Sequence, residues 1–120
     1  VRKMKISKIQ IFDKSADVNS FKIKGESMWL DKSTRVGLFN SISIEKNAGK
    51  THTILWYDAV KYVIPIPDAL PMLNEIEMYA LNCYNVTQSH IAAVRSLQTI
   101  EEIENYDYTV GYPIKLSFPG

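Results

Sequence analysis

The sequence predicts an α+β fold in which two hairpins form a small antiparallel sheet packed on one long C-terminal helix. Apolar residues alternate along short paired segments between residues 21 and 66, which is typical of half-buried strands. A helical period then runs without a breaker to about residue 98, and a short helix and an extended tail follow it. We expect one domain over residues 1–120, with strands and one helix in 1–66, the two C-terminal helices in 67–105 and the tail in 106–120.

Composition supports a single soluble globular domain. The chain has 120 residues, of which 46% are hydrophobic and 22% charged, and its formal net charge is +1. One cysteine excludes an internal disulfide, and every apolar run falls far short of the roughly 20 residues that a membrane span needs. The sequence therefore predicts neither a membrane association nor a signal peptide.

The charges are unevenly distributed along the chain. Residues 1–60 carry 11 basic and 6 acidic groups, whereas residues 61–120 carry 3 basic and 7 acidic groups. The small net charge of the whole chain argues against a polybasic protein that binds nucleic acid or membranes. The segregation predicts a molecule with opposite-signed ends, which could order neighbouring copies head to tail.

The first 50 residues predict strands followed by a helix. Ile9 and Ile11 alternate with polar residues and predict a strand, and Phe21 and Ile23 predict another, with Gly25-Glu26 as a hairpin turn. Asp31 or Ser33 is a suitable N-cap for a helix that ends before Gly49, with a helical period at Val36, Phe39, Ile42 and Lys46. Because Ile42-Ser-Ile44 is β-branched, a strand over 41–46 is the alternative.

A hairpin is the clearest local prediction. Residues 51–57 and 60–66 are rich in β-branched and aromatic residues and flank Asp58-Ala59. The alternation predicts one face with Ile54 and Trp56 on the first strand, and Tyr62, Ile64 and Ile66 on the second. Pro65 predicts that the second strand is an edge strand or ends there.

The long helix begins at the Asp68 N-cap, tolerates Pro71 in its first turn and extends to about Gln98, roughly 45 Å at 1.5 Å per residue. Its predicted inner row is Leu73, Ile76, Ala80, Cys83, Thr87, His90, Val94 and Leu97. A second apolar row follows beside it, at Met72, Tyr79, Val86 and Ala93. Since one small sheet would not cover both rows, we expect self-association or docking on a larger particle; the alternative is that the helix bends over its own sheet.

After the long helix, Thr99 and Glu102 form a capping box for a short helix over 100–105. The tail from Tyr106 to Phe118 is rich in aromatic residues and then alternates. It is either an extra strand of the domain's own sheet or an arm that pairs with a neighbour.

The sequence predicts no catalytic, cofactor-binding or metal-binding site. Asn47-Ala-Gly-Lys-Thr51 resembles the end of a phosphate-binding loop, but the required earlier glycine is Ile44 and a strand follows, so a helix C-cap is the better interpretation. Cys83 and His90 are seven residues apart on one helix, too far to share a zinc ion. Direct recognition of nucleic acid is disfavoured because the aromatic residues lie apart from the lysine-rich strands.

The order of segments resembles a family of small domains of unknown function encoded in bacteriophages and prophages. The resemblance covers about residues 21–97 and depends on Gly25-x-x-x-Trp29, on Asp31 to Arg35 at a helix start, on Trp56 in a hairpin, and on a long helix with Tyr79, Tyr84 and His90-Ile91. Members of that family often lie beside or within tail-fibre, baseplate and tail-assembly proteins. The family has no established catalytic residues to transfer to this chain.

The resemblance implies a non-enzymatic structural or assembly module of a phage particle, found in the virion or in the host cytoplasm during assembly. Its expected partners are other virion or tail proteins and further copies of the chain. We expect Trp29, Trp56 and Tyr62 in the core, and protein contacts through Met72, Tyr79, Val86, Tyr106, Tyr108, Tyr112 and Phe118. The alternative function is a small regulator that binds a host protein or nucleic acid.

Overall fold

The computed structural model describes residues 1–119, and its fold is α+β, with a long helix packed against small sheets, as predicted. Over these residues the elements are α1 (Arg2–Lys14), β1 (Phe21–Ile23), β2 (Glu26–Met28), α2 (Lys32–Asn47), β3 (His52–Tyr57), β4 (Val60–Pro65), α3 (Ile66–Ser96), α4 (Ile100–Asn105) and β5 (Ser117–Phe118).

Two compact units divide the chain. The central unit comprises residues 21–78 and the segment from 116 onward, and the terminal unit comprises residues 1–20 and 79–115. Helix α3 contributes its first 13 residues to the central unit and the remainder to the terminal unit. The single domain over 1–120 stays a prediction.

The strand predicted around Ile9 and Ile11 is wrong, because both residues lie in helix α1. On a strand these two side chains would share a face, whereas Ile9 is fully buried and Ile11 is 70% exposed. The segment contains no glycine or proline, and Ile6 and Ile9 are spaced for one helix face that packs against Ile103 of α4. The alternation of lysines with apolar residues over this short segment therefore resembles the pattern of a strand although the segment is a helix.

The first hairpin is confirmed, with its turn one residue earlier than predicted. Lys24 and Gly25 both have positive φ, at 52° and 81°, which is the conformation of a two-residue type I′ turn. The two predicted hairpins do not share one antiparallel sheet: β1 lies between antiparallel β2 and parallel β5, and β3 pairs with β4 in a separate sheet. Of the two interpretations of the tail, the extra strand is correct, since Ser117 pairs with Lys22.

Helix α2 is confirmed, and the alternative strand over 41–46 is wrong. The Asp31 carboxylate caps the helix by accepting from the backbone N–H of Thr34 at 2.8 Å. The C-terminus is a Schellman motif: Gly49, at φ +86°, donates to Lys46, and Lys50 donates to Glu45. The turn that imitated a phosphate-binding loop is thus a helix C-cap leading into a strand.

The second hairpin is confirmed, but the inward face predicted for its first strand is wrong. Asp58 and Ala59 have φ of 50° and 62°, so both turn residues are left-handed. This turn pairs Leu55 with Tyr62, and both side chains are buried. Trp56, predicted in the core, is 61% exposed.

The core of the central unit forms between β1, β2, the second hairpin, α2 and the start of α3. It contains Phe21, Ile23, Leu55, Ile64 and Ile76 among others. Arg35 is 6% exposed at its edge; its guanidinium donates to the Leu30 carbonyl at 2.6 Å, pairs with Glu77 and lies over the ring of Trp29. Trp29 and Tyr62 belong to this core as predicted.

Helix α3 begins at Ile66, two residues before the predicted Asp68 cap, and ends at Ser96. Its predicted inner row is confirmed for Leu73, Ile76, Cys83, Thr87, His90 and Val94, all of which are buried. The prediction that the outer row forms a free surface is wrong, because Met72 and Tyr79 are only 8% and 4% exposed. The helix is buried over a broad face because elements besides one sheet cover it.

The two units do not differ in net charge as the two halves of the sequence do. The terminal unit carries 7 basic and 6 acidic groups, and the central unit carries 7 of each. The basic helix α1 packs beside the acidic α4, and Lys5 Nζ donates to the Glu104 carbonyl at 2.9 Å. The prediction of opposite-signed ends is therefore wrong.

Candidate protein-binding surface

The outward face of the β3–β4 hairpin is apolar. Cross-strand pairs place Ile54 opposite Val63 and Trp56 opposite Lys61. Ile54 and Val63 are each 48% exposed, and Trp56 is 61% exposed. Three large apolar side chains in one cross-strand patch on a two-stranded sheet form a surface that water solvates poorly. We call these residues, with Lys61, the hairpin face.

A groove adjoins the hairpin face. The next outward pair along the hairpin is His52 with Pro65, and these two residues line a groove of about 600 Å³ at the start of α3. Its apolar lining is Pro65, Ile66, Pro67, Leu70 and Pro71, and its polar lining is Lys46, Lys50, Thr51, His52 and Asn74. We call this cavity the proline groove. It lies entirely within the central unit.

Local backbone structure positions the polar side of the proline groove. Lys46 lies in the last turn of α2, and the Schellman motif turns the chain so that Lys50, Thr51 and His52 follow directly along the groove. The Thr51 hydroxyl lies 2.9 Å from Nδ1 of His52. Lys50 is largely exposed and lies 3.7 Å from a Glu45 carboxylate oxygen. This is a surface ion pair, a class of contact that contributes little to stability.

A second groove, of about 330 Å³, borders the same two prolines. Its lining combines Pro67 and Pro71 with Asp68, Glu75 and the tail residues Phe118 and Pro119, besides Ile64 and Met72. The charged lining residues of this acidic groove are carboxylates, whereas those of the proline groove are lysines. The two grooves therefore differ in the sign of charge that they offer to a ligand.

A buried polar network holds the tail in the terminal unit. The Thr87 hydroxyl donates to Asp13 at 2.8 Å and lies 2.6 Å from the Tyr112 hydroxyl, which therefore donates to it. Tyr106 and the Val110 carbonyl contact the two ring nitrogens of His90. These bonds tie residues 106–112 to helices α1 and α3.

The residues predicted to make protein contacts lie at several places. Met72 and Tyr79 are buried, Val86 is half-buried, and the Tyr79 hydroxyl donates to the Val18 carbonyl at 2.6 Å. Within the terminal unit, Tyr108 and Tyr112 pack edge-on against Phe12. Within the central unit, Phe118 packs edge-on against Phe21. The structure thus uses these side chains for internal packing and does not assemble them into one surface.

Cys83 and His90, the two residues considered as zinc ligands, are both buried. Cys83 is buried, and burial raises the pKa of its thiol above the ordinary value. Over residues 1–119, histidine, cysteine and carboxylate side chains form no group of three or more that could hold a metal ion. In the same part of the chain, the search for a helix of sufficient length and hydropathy to span a bilayer finds none.

Sequence reasoning missed the hairpin face and the proline groove. The alternation was recognised in the hairpin, but the choice of face was wrong on β3, so Ile54 and Trp56 were placed inside. A usable signal was present: Thr53, Leu55 and Tyr57 form the other alternating set, and Leu55 faces Tyr62 across a two-residue turn at Asp58-Ala59. The cluster of three prolines at 65, 67 and 71 was interpreted only as a strand end and a helix start.

No protein-family model, curated protein or solved structure shows significant similarity to this chain.

Proposed function

We propose that this chain is a non-enzymatic protein-binding module that serves as a structural or assembly component of a bacteriophage or prophage particle. The observation that carries the proposal is the hairpin face, where Trp56, Ile54 and Val63 are together exposed without supporting the chain's own core. Large aromatic and aliphatic side chains of this kind dominate the energy of protein interfaces. Lys61 beside Trp56 supplies a polar rim.

The phage assignment is supported by the resemblance of segment order over residues 21–97. Two of the features that carry the resemblance are used structurally in the central unit: Trp29 and Arg35 stack at the edge of its core. A further feature, Trp56, is exposed, which a binding role explains and a packing role does not. Exposed tryptophan side chains are enriched at protein interfaces.

The test is complementation of a phage or prophage that lacks this gene. Wild-type chain, the double variant W56S/V63S and the control variant I44S are supplied, and the chain is quantified in purified particles and in assembly intermediates. Ile44 is also an exposed apolar residue of the central unit, at 68%, but it lies on α2. We expect wild type and I44S to be incorporated equally, and W56S/V63S at least tenfold less.

Two results would contradict the proposal. One is a wild-type chain that is absent from both particles and intermediates. The other is equal incorporation of W56S/V63S, provided that circular dichroism shows it to be folded. Retrieval of a host protein in place of a virion protein, through cross-links formed at Lys61, would instead favour the alternative function, in which this chain is a small regulator that binds a host protein.

A further inference from the structure

We infer that the proline groove binds an extended peptide segment of a partner protein that carries apolar side chains next to carboxylates. This inference rests on the proposed function, since it assigns to the binding module the chemistry of one segment that it recognises. The hairpin face would supply the broader contact, and the groove would supply selectivity.

The floor of the groove favours apolar side chains. Pro65, Pro67 and Pro71 present rigid rings, and Ile66 and Leu70 close the surface between them. A volume of about 600 Å³ lies within the range of sites that enclose small ligands, and it can accommodate a few side chains of a peptide. Because proline rings lose no rotamer freedom on binding, this floor is preorganised.

The rim of the groove favours carboxylates. Lys46 and Lys50 are both exposed, and the ion pair of Lys50 with Glu45 is a long one that a ligand carboxylate can exchange. None of the ten described lining residues is acidic. A segment with carboxylates close to its apolar side chains therefore gains charge-assisted contacts that a basic segment lacks.

The lining also argues for a peptide over a nucleic acid. Phosphate would suit the two lysines, but the ten described lining residues include no phenylalanine, tyrosine or tryptophan on which bases could stack. The apolar floor would remain uncovered by a phosphate backbone.

The neighbouring acidic groove provides an internal control. It shares Pro67 and Pro71 with the proline groove but is lined by Asp68 and Glu75. A ligand that recognised only the prolines would bind on either side of them, whereas an acidic segment should be excluded from the acidic groove by like charge.

The experiment is selection of random seven-residue peptides on the immobilised full chain. We expect enriched peptides in which Asp or Glu lies beside Leu, Ile, Phe or Pro. Fluorescence anisotropy of an enriched peptide should then show at least a tenfold higher Kd for K46E/K50E. I44S should bind the peptide as wild type does, because Ile44 is exposed and lines neither groove, and D68N/E75Q should not weaken binding. Replacing the peptide's acids by lysine should abolish binding.

Four results would overturn the inference. Three are no enrichment, enriched peptides without acids, and an unchanged Kd for K46E/K50E. The fourth is self-association of the wild-type chain, measured by sedimentation velocity, that is lost in K46E/K50E, because a second copy would then occupy the groove. If K46E/K50E is unfolded by circular dichroism, K46Q/K50Q replaces it. If no peptide binds but incorporation into particles still depends on Trp56, only the assignment of the groove is wrong. If a peptide binds but the chain is not incorporated, only the phage role is wrong.

Discussion

The hydroxyl of Tyr106 and Nδ1 of His90 form a hydrogen bond of 2.6 Å. The other ring nitrogen, Nε2, lies 2.8 Å from the Val110 carbonyl, which can only accept, so Nε2 donates the second bond. Both ring nitrogens are therefore hydrogen-bonded at a site that is 8% exposed. One histidine thus anchors two points of the segment that follows α4.

We expect Y106F to destabilise the protein by about 1 to 2 kcal/mol, because Nδ1 of the buried His90 would then lose its hydrogen-bond partner. Urea unfolding followed by circular dichroism measures the change. Y84F is the matched control, since Tyr84 is on the same helix as His90 and is 57% exposed. An unchanged midpoint for Y106F would show that water replaces the hydroxyl.

The register of the second hairpin predicts opposite results for neighbouring residues. L55A should destabilise the protein by about 2 to 5 kcal/mol, because Leu55 is buried in the core of the central unit. I54A, one residue away and half exposed, should cost less than about 1 kcal/mol. Equal losses in thermal unfolding experiments would mean that both faces of this hairpin are covered.

Substitution of Ala59 by glycine should stabilise the protein. Ala59 has φ of +62°, where an L-residue is strained by about 1 kcal/mol and glycine is not. The same substitution at Ala48, which has φ of −81° at the end of α2, should be neutral or destabilising. Chemical denaturation of both variants tests the sign of each effect, and a loss of stability in A59G would contradict the turn conformation.

The Asp31 cap predicts a pH dependence. Hydrogen bonds from Thr34, with the nearby Arg35 charge, hold the pKa of the Asp31 carboxyl below its ordinary value. The folded state therefore favours the ionised form, so the added stability is present above the unfolded pKa near 4 and is lost as the pH falls through the lower, folded-state pKa.

D31N retains a cap but cannot ionise. We expect wild type to be more stable than D31N at pH 6.5, and we expect this difference to shrink at pH 2.5, as measured by urea midpoints at both values. A difference that is the same at both pH values would show that the charge of Asp31 does not contribute.

Local chemistry made several elements predictable. The Asp31 cap, the Gly49 stop and the Thr99–Glu102 capping box are short-range hydrogen-bonding motifs, and each is found where the sequence places it. The turn at Asp58-Ala59 and the inner row of α3 were predictable for the same reason, because a turn or a helical period involves only near neighbours. The candidate surface was less accessible to this reasoning. On β3 both alternating sets contain large apolar residues, so the alternation of β3 by itself does not choose between Leu55 and Ile54. The choice depends on the register of the two-residue turn, which places Leu55 opposite Tyr62.

The amino-acid order alone was enough for the α+β class, the caps of α2 and α4 and the presence of the long helix, since these depend on contacts within a few residues. Long-range packing settled the rest. Residues 2–14 form a helix that lies against α4 and covers apolar surface that was predicted to contact a partner. The sequence pattern does not reveal this packing, because the contacts join residues about 95 positions apart. Met72 belongs to the core of the central unit, and the Tyr79 hydroxyl donates to the Val18 carbonyl in the terminal unit, so neither side chain is on the surface. The same packing left Trp56 exposed on the outward face of its hairpin.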